Sequence, residues 1–130
     1  MADINMVLLI GILSLLHLGS YRSVGCWRDR SARAIPTLEG SDSRLNGEYE
    51  GRENAIQKCY QVASERGFKY FAVQNGGWCA SSANAGVTYR KYGKSTACRK
   101  GKGGGWANDV YVINGNHTFY YHYSYIKSLN

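Results

Sequence analysis

The sequence predicts a small, loop-rich α+β domain stapled by disulfides, with one main helix packed on a short antiparallel sheet. Three observations carry this expectation. Apolar residues recur at three- and four-residue spacing over 54–66, an aromatic and β-branched run at 68–74 follows at once, and the 130-residue chain holds four cysteines.

Residues 6–16 form an apolar stretch too short to cross the ~30 Å hydrocarbon core of a bilayer as a helix, but suited to the core of a secretory signal. Small residues at Leu18-Gly19-Ser20 offer a cleavage site before Tyr21. The segment ahead of the run contains Asp3 and neither Lys nor Arg, and a buried N-terminal helix is the alternative reading. Residues 1–20 are thus expected to be a signal peptide, 21–113 the folded domain and 114–130 a tyrosine-rich tail. Removing 1–20 leaves 110 residues with 16 Lys and Arg against eight acids, a net charge of +8. That length supports one domain with a modest core.

A short strand is expected near 24–27, followed by a polar loop over 36–51. The helix comes next: Ala55, Ile56, Cys59, Val62 and Ala63 form its apolar face, while Lys58, Gln61, Ser64 and Glu65 take the other. Gly67 stops it, because glycine enters the left-handed conformation without steric cost. The strand over 68–74 ends at Asn75-Gly76-Gly77. The turn between helix and strand is so short that Cys59 and Cys79 could face one another. A basic, Gly-rich segment over 91–105 reads either as a solvated loop or as a binding surface, and a last strand is expected at 110–113.

The four cysteines, Cys26, Cys59, Cys79 and Cys98, are read as two disulfides, with three connectivities open to sequence alone. A zinc site would want paired cysteines about two to four residues apart or nearby histidines. These four are too scattered for it.

Catalysis is addressed by what the sequence lacks. His17 falls in the signal segment and His117 and His122 in the tail, so 24–113 holds no histidine. That removes Ser-His-Asp triads, Cys-His pairs and histidine-based metal sites from the domain. Asp42, Glu48, Glu50 and Glu53 would supply the two carboxyls of a glycosidase, but they lie among Arg44 and Arg52, where ion pairing is the ordinary explanation. The expectation is a binding protein, not an enzyme, with no metal and no cofactor.

Four patterns then line up: Gly25-Cys26-Trp27 with Arg33-Ala34, Cys59 with Gly67-Phe68, the run from Tyr70 through Gln74-Asn75-Gly76-Gly77-Trp78-Cys79, and Cys98 with a Gly-rich turn and Val110-Tyr111. Together, over about residues 24–113, they resemble the WSC domain, an extracellular module regarded as carbohydrate-binding. They are also similar to modules with fewer cysteines in extracellular proteins of marine invertebrates. WSC domains carry a larger cysteine set, and Ala63 and Ser81 stand here where the family has a further pair. The resemblance implies Cys59 bonded to Cys79 and Cys26 to Cys98.

Sugars offer C–H faces that pack on indole or phenol rings and hydroxyls that pair with amides and cations. The candidate glycan ligands are Asn75, Trp78, Tyr89, Tyr92, Trp106 and Asn108 with Arg90 and Lys91; Asp109 adjoins them. Trp27 and Trp78 adjoin cysteines, which favours a core role for Trp27 and leaves both roles open for Trp78. Arg90, Lys91, Lys94, Arg99, Lys100 and Lys102 concentrate positive charge, so the expected partner is an anionic polysaccharide or cell-surface carbohydrate, anionic bacterial surfaces and mineral matrix being the other polyanions. No nucleic-acid motif is present. The run over 101–105 lacks the Walker spacing of a phosphate loop.

Asn116-His117-Thr118 fits an N-glycosylation sequon. Phe119, Tyr120, Tyr121, Tyr123 and Tyr125 give the tail the makings of an edge strand, a disordered extension or a self-association segment. The leading expectation is a secreted carbohydrate-binding module. The alternatives are a self-assembling matrix or secretion protein and a cationic host-defence protein.

Overall fold

A computed structural model describes residues 21–114. The expected signal segment, the sequon at Asn116 and nearly all of the tyrosine-rich tail lie outside the described residues. Within 21–114 the chain forms β1 (Tyr21–Arg28), a 3-10 turn (Ser43–Leu45), α1 (Ala55–Glu65), β2 (Tyr70–Gln74), β3 (Trp78–Ser81), a one-turn helix α2 (Ala85–Thr88) and β4 (Ala107–Ile113). The four strands make one antiparallel sheet in the order β1-β4-β2-β3. This is the small disulfide-stapled α+β domain that the sequence predicts.

Helix α1 ends as its sequence dictates. Gly67 adopts φ 75°, the Phe68 amide reaches back to the Ala63 carbonyl at 3.0 Å and the Gly67 amide to Ser64 at 3.0 Å. These are the two bonds of a Schellman motif, so the last carbonyls of the helix are satisfied and the chain turns straight into β2. Cys59, Tyr60, Val62 and Ala63 of the helix pack on Phe71, Val73, Tyr111 and Ile113 of the sheet, with Leu38 and Leu45 closing the layer. The opposite face of the sheet is covered too: Ala72, Trp78, Ala80 and Val110 pack with Ile35, Ala85 and Tyr89. Buried on both faces, β2 and β3 show no polar alternation.

Loops cover the β3 edge of the sheet and the C-terminal end of the β1 edge. Along β3, Leu38 N–H bonds to Cys79 O at 2.9 Å and Ser81 N–H to Pro36 O at 3.0 Å. Along the end of β1, Arg28 N–H bonds to Gly93 O at 2.9 Å and Ser95 N–H to Cys26 O at 3.1 Å. Such covering suppresses edge-to-edge pairing. Arg52 fixes the rest of the 36–51 loop. Its buried guanidinium makes a two-pronged pair with Glu39 at 2.7 and 2.8 Å and donates to Gly77 O at 2.8 Å and Leu45 O at 2.7 Å. The segment is polar in sequence yet held from inside.

Two disulfides complete the frame. Cys59–Cys79 joins α1 to β3, and Cys26–Cys98 ties β1 to the basic loop; no cysteine is free among the described residues. This state belongs to an oxidising environment and fits an extracellular protein. No helix of the described residues is long and apolar enough to cross a membrane.

The two bridges differ in access and in the loop they close. Cys59 and Cys79 are fully buried, whereas Cys26 and Cys98 are half-buried. Limiting reductant is therefore expected to open Cys26–Cys98 first, as read by alkylation and mass spectrometry. With sequence separations of 72 and 20, chain entropy puts the loss on removing each bridge at about 4 kcal/mol for Cys26–Cys98 and about 3 kcal/mol for Cys59–Cys79, measurable by denaturant unfolding.

Candidate functional site

Strand register places one row of side chains across the end of the sheet. Trp27 pairs with Asn108, Asn108 with Gln74, and Gln74 with Trp78, so one residue from each strand stands at the same level. Directly opposed residues in antiparallel strands share a face. The row therefore runs from indole through two amides to indole. The amides are joined: Gln74 Nε2 donates to Asn108 Oδ1 at 2.8 Å and to Asp29 Oδ2 at 2.7 Å.

Asp29 follows β1 and is buried. Its Oδ1 accepts from the Ala34 amide at 2.9 Å, its Oδ2 accepts from Arg33 Nη1 at 2.8 Å, and its own amide donates to Trp106 O at 2.9 Å. Burial by itself pushes the carboxyl up. The bonds from the Ala34 amide, Arg33, Gln74 and the Arg30 amide outweigh it, and the pKa lies below the ordinary value.

The carboxylate thereby holds Arg33, whose guanidinium also donates to Gln74 Oε1 at 3.3 Å. The guanidinium carbon lies 4.4 Å from the centroid of the Trp78 ring and 4.7 Å from that of Trp106. A cation on an indole face contributes about 0.5–2 kcal/mol, rising with desolvation. Arg33 joins the two indoles into one surface.

Trp106 is the outlier of the site. Its backbone sits in the left-handed region at φ 53°, where a bulky side chain costs about 1–2 kcal/mol, and 54% of the residue is exposed. Trp78, by contrast, keeps only 9% of its surface in solvent. Together with Arg33, Tyr49, Gln74, Asn75 and Gly105 the two indoles line an open cleft of about 190 Å³. Asn75, at φ 46° in the turn after β2, donates from Nδ2 to Glu50 Oε1 at 3.2 Å on the rim.

The structure therefore brings together Asn75, Trp78 and Trp106 of the expected ligands and separates the others. Asn108 is corrected: it is fully buried, and its side-chain oxygen is taken by Gln74 inside the sheet, which removes it from a ligand's reach. Tyr89 is corrected likewise. It is buried edge-on to Trp27 at 5.1 Å and stacked on Tyr70 at 5.6 Å, with Arg90 against its ring at 4.9 Å. Tyr92 is half-buried, donates its hydroxyl to Ala32 O and lies against Arg30 and Lys91; Arg90 and Lys91 are exposed. Tyr92, Arg90 and Lys91 form a surface of their own outside the cleft.

Arg33, Tyr49, Gln74 and Asp29 were not among the expected ligands. Arg33 stands in sequence as one arginine of a basic stretch; its carboxylate partner Asp29 is four residues away, whereas Gln74, which also accepts from it, is 41 residues away. Of the acids considered for hydrolysis, Asp42 pairs with Arg44 at 2.9 Å, and Glu50 meets Asn75.

No protein-family model matches the chain, and a search of curated proteins matches none.

Asp29 gives the site a pH signature. Because folding lowers its pKa, its contribution to stability is complete above the unfolded value near 3.8 and is lost as pH falls through that value and on through the folded one. Asp29→Asn is expected to flatten this acid limb in thermal unfolding. Since the Arg33 side chain is 33% exposed, the cost at neutral pH is about 2 kcal/mol, below the 3–5 kcal/mol of a fully buried pair.

Proposed function

We propose that this protein is a secreted carbohydrate-binding module, not an enzyme, and that the cleft between Trp106 and Trp78 is its glycan site. One observation carries the reading: Trp106 is held half-exposed on a strained backbone, over a guanidinium that a buried carboxylate fixes in place. A large apolar ring in solvent and a left-handed bulky residue are both unfavourable for folding alone, and they coincide here at one residue.

The chemistry of a sugar fits what surrounds it. The Trp106 ring offers a flat apolar surface to a pyranose C–H face, and Asn75 and Tyr49, which also line the cleft, are residues able to hydrogen-bond hydroxyls. The platform is preorganised, since Asp29, Gln74 and Ala34 are already hydrogen-bonded in the free protein. The likeness of residues 24–113 to WSC domains supports the same reading. The two disulfides support export, and the signal-like apolar run at 6–16 supports a secretory route.

Trp106 separates function from fold. Trp106→Ala is expected to weaken glycan binding by about 2 kcal/mol, roughly thirtyfold, by calorimetric titration against the best ligand of a glycan array. Trp106→Gly relieves the left-handed strain, so its unfolding free energy should stay within about 1 kcal/mol of wild type while binding is lost in the same way. Binding retained by both variants would remove the cleft as the glycan site.

A further inference from the structure

A second depression opens beside the aromatic cleft. It is lined by three cations, Arg99, Lys100 and Lys102, and one acid, Glu50, together with Asn75 and the glycines of the two turns, and measures about 380 Å³. The two share Asn75, and their walls are continuous in sequence: Gly76 follows Asn75, and Gly103-Gly104 runs into Gly105-Trp106. A chain seated on Trp106 meets this depression next.

Its floor is rigid. The Gly76 amide donates to Lys102 O at 2.9 Å, the Arg99 amide to Gly103 O at 3.1 Å and the Lys102 amide to Arg99 O at 3.0 Å. Gly103 N–H donates to the buried Asp109 carboxylate at 2.7 Å. Only glycine fits there, at φ 70° with a Cβ that would lie 2.4 Å from Val73 O. Tyr111 adds a bond from its hydroxyl to Gly101 O at 2.7 Å, and Cys98 anchors the loop covalently to Cys26.

The loop carries an excess of positive charge: Arg99, Lys100 and Lys102 face one lining acid, Glu50. Residues 66–108 contain eight Lys and Arg and no Asp or Glu. Among the described residues the ion pairs engage Arg33, Arg44 and Arg52, none of them in this loop. Arg99 spends Nη1 on Thr96 O and Cys98 O, while neither Lys100 nor Lys102 has a carboxylate partner among the described residues. Glu50 is turned to Asn75. Lys100 is held in the left-handed region at φ 56°, a conformation unusual for lysine.

We infer that this depression is an anion subsite, and that the ligand is an acidic glycan whose carboxylate or sulfate sits at Lys100 and Lys102 while a neighbouring ring stacks on Trp106. This rests on the glycan reading above and adds the class of sugar to it. Cations on a hydrogen-bonded backbone beside a stacking platform discriminate by charge where the platform alone discriminates by shape.

The test compares oligosaccharides of equal length, one neutral glucan, one uronic and one sulfated, by titration calorimetry with the full chain. Wild type is expected to bind one or both acidic chains about tenfold more tightly than the neutral one, with the preference shrinking as salt is raised. Lys100→Gln with Lys102→Gln should collapse that ratio, whereas Lys58→Gln with Lys69→Gln, which removes the same net charge elsewhere, should preserve it. Equal binding of neutral and acidic chains by wild type overturns the anion subsite and leaves the glycan site standing. An equal fall of the ratio in both double variants also overturns it, since net charge alone would then explain the preference. Acidic chains bound undiminished by Trp106→Ala would overturn the stacking reading instead. No binding of any oligosaccharide overturns both. A uronic preference without a sulfate preference, or the reverse, identifies the anionic group.

Discussion

The carboxylate of Asp29 is the constraint around which this end of the domain is organised. It sits just past β1, accepts from the Ala34 amide, Arg33 and Gln74 of β2, and its own amide bonds to the carbonyl of Trp106. A single buried acid thus ties two strands, the 29–34 turn and the entry to β4. A buried charge is costly unless its lone pairs are met, and here both oxygens have partners. The result is a guanidinium fixed against two indoles.

This rigidity extends to the scaffold. Both sheet faces are packed, loops cover the β3 edge and the end of the β1 edge, and Arg52 anchors the polar 36–51 segment from within by its pair with Glu39. A loop-rich domain of this size would otherwise leave its site on mobile backbone. Instead the cleft takes Gln74 and Trp78 from the facing ends of β2 and β3, and hydrogen bonds with Asp29 hold Arg33 and Trp106 beside them. Sites on such fixed elements lose little entropy when a ligand arrives.

What the sequence could disclose follows from the range of each interaction. Helix α1 and its Gly67 stop depend on neighbours within a few residues, and the structure places them within one residue of expectation. Strand β1 runs over Tyr21–Arg28, longer than the expected 24–27: a bulge at Val24, between Ser23 and Gly25, breaks the alternation that would have marked its first half in sequence. Strand β3 went unseen for another reason: Trp78-Cys79-Ala80-Ser81 is buried on both faces, so it carries no periodic signal. At the site, the tryptophans and Asn75 were visible by residue type alone. Arg33 was not: its pair with Asp29 is local and ordinary, while Gln74, Trp78 and Trp106, which place it in the cleft, are far off in the chain. Asn108 misled for the converse reason, an amide of the right type that register turns into the sheet.

The account comes down to which indoles a glycan touches, and the chain contains three tryptophans to report it. Trp27 serves as the internal reference, its indole N–H bonded to Val24 O at 3.0 Å and its ring packed on Tyr89. A nitrogen–proton correlation titration with an acidic oligosaccharide follows all three side chains at once. Saturable shifts at Trp106 and Trp78, with Trp27 still, are the predicted result. Shifts confined to Trp27, or none at any indole while the basic loop responds, would contradict a stacking site and leave only charge.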